Sequence, residues 1–302
     1  MRIVSLLPGA TDAITALGCA GSLVGVSHAC DAPSAIPRVT APAIDPGASS
    51  GAIDAAVRDV AFGGSPLFAL DAARIIALRP DLIVTQALCD VCAVSEQDVR
   101  ALAATMTPVP RVLTVSGASL DGVFADITAI GTATGLGAEA DELVMGLRWR
   151  MRSVHETLKA AQAPRPRVAV IEWTDPLYAG GHWVPEQVRR AGGIDVLAVP
   201  GEHSLTVTPD RVRDASPDIV IIAPCGFSLD RATAEAVTLL GQHAWLVGCE
   251  VWAIDANTLT SRPGPHLVDG IEVMARILAP SIFTPVSPAL ARSVSATPTA
   301  AD

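Results

Sequence analysis

Short apolar runs recur along the chain, each about five residues long and rich in β-branched side chains. They lie near residues 2–6, 79–84, 111–115, 168–172, 216–221 and 250–254. A strand exposed on one face alternates apolar and polar positions, whereas a continuous apolar run suits a strand covered on both faces of a parallel sheet. The segments between them carry Pro-Gly turns or helical spacing. The first run leads through Pro8 and Gly9 into a helix from about Asp12. The run at 168–172 leads through another Pro- and Gly-rich turn into a helix from about Pro185. Each half then repeats a block in which a short helix ends near a proline and a buried strand follows. The two copies are residues 70–84 and 208–221. Each half closes on a strand followed by a helix, starting near Ser119 in one and Pro265 in the other.

Between the halves, residues 119–161 lack strand signals, and glycines near 131–137 are their main interruption. Val144, Leu147, Met151, Val154 and Leu158 recur at helical spacing, which predicts a long helix ending before Pro164. The expected organisation is an N-terminal α/β lobe over 1–117, a bridging helix over 118–162 and a C-terminal α/β lobe over 167–282. Residues 283–302, rich in Ser, Pro, Ala and Thr, read as a disordered tail.

Composition narrows the class. Half of the 302 residues are hydrophobic and 17% are charged, enough for large cores. The net charge of −10 argues against a nucleic-acid surface. No apolar stretch reaches membrane-spanning length without interruption. The segment from Met1 has a short apolar run and no small-residue cleavage site, so it reads as a first strand and predicts a cytoplasmic chain with reduced cysteines.

Four of the six cysteines fall in loops that follow strands, where an open α/β sheet binds its ligands. Cys89 and Cys92 form a C-x-x-C. With Cys30 and His28 they could hold a zinc ion, as a redox pair they could exchange thiols, and otherwise they are buried or incidental. Cys225 occupies in the second half the place of Cys89 in the first. His203 could ligate zinc, haem iron or the cobalt of a corrinoid, or simply lie on the surface. Trp173 and Trp183 flank a Gly-Gly-His loop at 180–182 and could hold a flat ligand, though a tryptophan is more often core. Gln86 ends the strand before the C-x-x-C, and Arg262 could pair with a carboxylate or phosphate. Pro8, Gly9 and Thr11 open the first helix, where backbone N–H groups can meet an anion. No catalytic signature of the hydrolase, metalloprotease or P-loop kind is present, and the chain is read as non-enzymatic.

The stretches at residues 3–12, 23–27, 78–83, 191–193 and 216–220 together resemble the solute-binding proteins of ABC importers, in particular the cobalamin-binding branch. That resemblance implies two Rossmann-like lobes with parallel sheets, one bridging helix and a ligand cleft between the lobes. It also implies a corrinoid ligand, a membrane permease as partner and an extracytoplasmic setting. This chain departs from the pattern. Ala29 stands where an aromatic would flank the corrin, and Leu259 lies near the place of another. Ala73 replaces one of two permease-docking glutamates, and Asp210 stands at the other. Three functional readings follow: a corrinoid-binding protein, a cytoplasmic zinc or haem binder using the cleft Cys and His residues, and a thiol oxidoreductase using Cys89 and Cys92.

Overall fold

The computed structural model describes residues 1–63, 67–87 and 94–295. The chain divides into two units, Met1–Gly146 with Pro263–Pro265, and Leu147–Arg262 with the chain from His266 onward. In the first unit, β1 (Ile3–Ser5) leads through α1 (Pro8–Ala16) to β2 (Leu23–Val26). A small antiparallel pair, β3 (Thr40–Pro42) and β4 (Phe68–Leu70), brackets α2 (Ser50–Gly63). There follow α3 (Ala72–Leu78), β5 (Leu82–Gln86), α4 (Glu96–Ala104), β6 (Arg111–Val115) and α5 (Leu120–Thr134). The main sheet is parallel throughout, in the order β2-β1-β5-β6. Every residue of β1 and β5 is buried, as their unbroken apolar runs require. Val4, Leu6, Ile75, Ile83 and Val99 pack into one core beneath this sheet, each such side chain contributing about 1.5–3 kcal/mol on burial.

Next comes α6 (Gly137–Ala160). The single helix expected over 118–162 is therefore two. Gly135 caps α5 with φ 78°, a left-handed conformation open to glycine at little cost. Gly131 lies so near Ala140 that an added Cβ would come within 2.3 Å of the alanine methyl.

The second unit runs through β7 (Arg167–Thr174), β8 (Leu177–Ala179), α7 (Val184–Arg190), β9 (Ile194–Asp195), β10 (Leu205–Thr206), α8 (Pro209–Asp214) and β11 (Ile219–Ile222). It ends with α9 (Leu229–Gln242), β12 (Glu250–Ile254), α10 (Ala256–Leu259), α11 (Leu267–Leu278) and β13 (Ala291–Ser293). The strand order is β10-β8-β7-β11-β12-β13, with β9 also on β7. The centre, β7-β11-β12, is parallel. To this parallel centre the sheet adds the antiparallel strands β8, β10 and β13 at its margins. The last of these also corrects the expected disordered tail. Ala291 and Val294 are buried, and β13 pairs with β12 from Ala291 to Ser293. Ala291 and Val294 turn inward while Arg292 and Ser293 between them stay exposed.

The two halves share local machinery. Asp81 accepts the Arg2 amide at 2.7 Å, and Asp218 accepts the Arg167 amide at 2.7 Å. Each aspartate precedes a buried strand and ties it to the start of its neighbour. The side chain of Asp71 caps α3 through the Arg74 amide, as Thr208 caps α8 through the Arg211 amide.

Candidate functional site

In each sheet the chain leaves a central strand first to one side and later to the other. In the first unit this reversal falls between β1 and β5. In the second it falls between β7 and β11. Ligands of open α/β sheets bind outside the carboxyl ends of the strands at such a reversal. The relevant residues are then 6–8 and 86–87 in the first unit, and 172–175 and 223–227 in the second.

The second unit holds the richer set of side chains. Glu172, near the end of β7, accepts the Gly181 amide on one oxygen at 3.0 Å and the Ser204 hydroxyl on the other. Burial pushes its carboxyl above the usual range, and these two hydrogen bonds partly offset the shift. The loop at 180–183 is clamped to that at 201–204. His182 donates its amide to the Glu202 carbonyl at 2.6 Å and accepts the Gly201 amide at 2.8 Å. No side chain fits at Gly181, where a Cβ would come within 2.3 Å of the Ser204 nitrogen. The imidazoles of His182 and His203 stand nearly perpendicular, their centroids 5.2 Å apart. His182 is half-buried with φ 53°, and its Nε2 is buried without a hydrogen bond among the described residues. Its pKa is lowered by burial and then by the neighbouring His203. His203 is exposed.

Beside this loop pair, Trp173 meets Phe227 edge to face at 5.2 Å, and the Arg231 guanidinium lies 3.5 Å from the centre of the Phe227 ring. Trp173 is half-buried and Cys225 is exposed, so both reach the surface at the strand ends. Trp183 does not. It is 6% exposed, and its indole N–H is taken by the Thr260 carbonyl at 2.7 Å. Gln187 holds the same segment through the Leu259 and Leu267 carbonyls. Arg262 is buried as well. Trp183 therefore braces the 259–267 segment from inside instead of offering a face to a flat ligand.

In the first unit, the residues singled out at the first helix are also internal. An added Cβ on Gly9 would lie 2.2 Å from the Pro263 carbonyl oxygen, so this glycine serves chain packing. Pro8 occupies the first turn of α1, where its missing N–H costs nothing. The Thr11 hydroxyl lies 2.8 Å from Ser5 Oγ and 3.1 Å from Cys30 Sγ, and all three residues are buried. An anion site there would need these groups turned outward. His28 is half-buried, with Nδ1 2.7 Å from the Thr40 hydroxyl and its ring against Phe68. Burial lowers its pKa. Gln86 is buried at the end of β5, and Ala29 is exposed.

Cys89 and Cys92 lie outside the described residues. Among the described residues, no group of three or more His, Cys, Asp or Glu side chains is placed to hold a metal ion. Sequence reasoning missed the Trp173–Phe227–Arg231 stack and the Glu172–Ser204 link, which join loops far apart in the chain. The Gly180-Gly181 pair was the available signal for the second, since paired glycines mark close backbone approach.

Comparison with known proteins places these features in a family. A family model described as "Periplasmic binding protein" matches residues 3–245. The chain is 24% identical over 294 residues to an uncharacterized ABC transporter substrate-binding lipoprotein, YvrC, of Bacillus subtilis (strain 168), spanning 93% of this chain and 81% of that protein. A periplasmic haem-binding protein from Pseudomonas aeruginosa superposes with a TM-score of 0.71 at 22% identity, covering 98% of this chain and 99% of that one. A periplasmic vitamin B12-binding protein of Vibrio cholerae superposes with a TM-score of 0.59 at 20% identity, covering 93% and 97%. At these identities the structural likeness speaks for the fold.

Proposed function

The chain belongs to the periplasmic binding protein family, and we propose that it is the ligand-capturing component of an ABC importer whose cargo is a metal-centred tetrapyrrole, a corrinoid or a haem. Members of this family are solute-binding components, not enzymes, so the oxidoreductase reading is set aside. The periplasmic setting of the family and the lipoprotein relative support the extracytoplasmic alternative, against the cytoplasmic expectation. Among the described residues, no helix is long and apolar enough to cross a membrane.

The observation that carries the ligand reading is the exposed His203 imidazole standing edge-on to His182. It neighbours Ser204, whose hydroxyl bonds Glu172 on β7, and the half-open Trp173 lies on the same strand. Neutral imidazole is a good axial ligand for iron or cobalt, and an aromatic face suits a macrocycle. Permease docking fits Asp210, which is exposed in the first turn of α8 and paired with Arg213. Ala73 is exposed at the matching turn of α3 and offers no carboxylate.

Absorbance titration with hemin and with aquocobalamin tests the reading. One of the two chromophores is expected to bind at one per chain with a shifted spectrum. His203→Ala should weaken that binding about tenfold or more, the loss of roughly 1.4 kcal/mol or more. If neither chromophore binds, the tetrapyrrole reading fails. If binding is unchanged in the variant, His203 is not the metal contact.

A further inference from the structure

Helix α6 presents a side chain that no packing in the fold explains. Trp149 is 67% exposed. It forms one wall of a groove of about 170 Å³ between α6 and α11, lined also by Arg150, Ser153, Thr157, Arg276 and Phe283. Glu272 is in the groove too, but Arg150 holds it at 2.8 Å and holds Asp269 at 2.6 Å. His266 lies 2.7 Å from the other oxygen of Asp269. The local acids are thus largely met by local bases, with exposed Glu156 as the remaining negative charge on this stretch of α6.

The cations are not matched in the same way. Arg152 and Lys159 are exposed on α6, Arg276 is half-buried at the groove, and none of the three forms an ion pair with a described residue. Lys159 is the only lysine of the chain. Arg152 follows Trp149 by three positions and Lys159 follows Arg152 by seven, so the indole and the two cations share one stripe of the helix. This basic, aromatic stripe belongs to a chain of net charge −10. An anionic surface is repelled by the molecule as a whole and attracted here, so this face would meet it. Tryptophan beside arginine and lysine is the side-chain set of the bilayer interface. The indole lies at the headgroup level, and the cations reach the phosphates on flexible apolar stems.

We propose that the Trp149 face of α6 rests on an anionic phospholipid surface. Arg152, Lys159 and Arg276 meet headgroup phosphates, and the Ser153 and Thr157 hydroxyls line the recess between them. The contact is electrostatic and shallow, so it is weak, reversible and sensitive to salt. It orients the molecule on the surface and requires no inserted helix.

Sedimentation of the full chain with vesicles tests this, using phosphatidylcholine alone or mixed with phosphatidylglycerol, at low and at physiological salt. The chain is expected to follow the mixed vesicles and not the neutral ones, with partitioning reduced at the higher salt. A variant carrying Trp149→Ala and Arg152→Glu should lose at least about fivefold in partitioning. Arg111→Glu, an exposed cation on β6, should leave it unchanged. Circular dichroism and the hemin and aquocobalamin titrations of the same variants keep a folding defect, or a failed ligand assignment, distinct from loss of surface binding. Equal partitioning to neutral vesicles, none to either, or no loss in the double variant would overturn the proposal. Concentration-dependent dimerisation abolished by Trp149→Ala would also overturn it, since a second copy would then be the occupant.

Discussion

Ser216 and Arg79 hold φ of 46° and 44° immediately before prolines. An L-residue in that region crowds its Cβ against the backbone, and the following proline narrows the choice further. Both positions close a short helix and turn the chain into a buried strand, β11 or β5. The Ser216 carbonyl accepts from the Arg167 side chain at Nε at 3.1 Å, a contact that uses only the serine's backbone, and the serine itself is exposed. Ser216→Gly keeps that bond and removes the steric cost. It is expected to raise unfolding free energy by about 0.5–1 kcal/mol in urea titration. A loss of stability would mean that the serine hydroxyl does something the geometry does not reveal. The sequence contained the pattern, Arg79-Pro80-Asp81 and Ser216-Pro217-Asp218, as a repeat. What it withheld was the aspartate's task of reaching the first amide of a strand some fifty to eighty residues away.

At the scale of elements, continuous apolar runs and the helix start at Ser119 were legible because their determinants are local. Ser119, read as the helix start, caps α5 through the Gly122 amide at 3.1 Å. The part of the expected tail at Ala291–Ser293 was misread because β13 owes its place to a partner. Its Ser- and Pro-rich composition says nothing of the free edge that β12 offers, nor of the core space that Val294 fills beside Leu239 and Val251. The same limit explains the site. Trp173 and Trp183 were indistinguishable in sequence, and burial separates them: each indole N–H meets a carbonyl, of Asp175 and of Thr260 respectively, but only Trp183 is buried. The β13 assignment makes a direct prediction. Ending the chain after residue 282 strips Ala291 and Val294 from the second core and bares the edge of β12. A cost of at least about 2 kcal/mol is expected from lost burial alone. Unchanged urea unfolding in the truncated chain would show that this strand is an ornament.

At the scale of the whole molecule, the buried ionisable groups pull stability in two directions across the acid range. Asp195 accepts the Leu197 and Ala198 amides on one oxygen, while the other is buried without a partner among the described residues. Burial pushes its carboxyl up to about 6. Burial also raises Asp126 and Glu172. A raised carboxyl binds its proton more tightly in the folded chain than in the unfolded one. Its contribution is full below the unfolded pKa near 4 and is lost as pH rises through the folded pKa. For Asp195 that loss amounts to up to about 3 kcal/mol between pH 4 and neutrality. His28 and His182 act oppositely. Their pKa values are lowered by burial, so they favour the folded chain above pH 6.5 and lose that support as pH falls through their folded values. The parent melting temperature is the sum of a falling and a rising limb and need not reveal either. Asp195→Asn removes that residue's share of the falling limb and leaves both histidines in place. The variant's melting temperature relative to the parent is therefore expected to climb steadily from pH 4 to pH 7, whatever constant offset the amide introduces. A difference independent of pH would mean that Asp195 is ionised throughout that range, and that water reaches the oxygen left without a partner among the described residues.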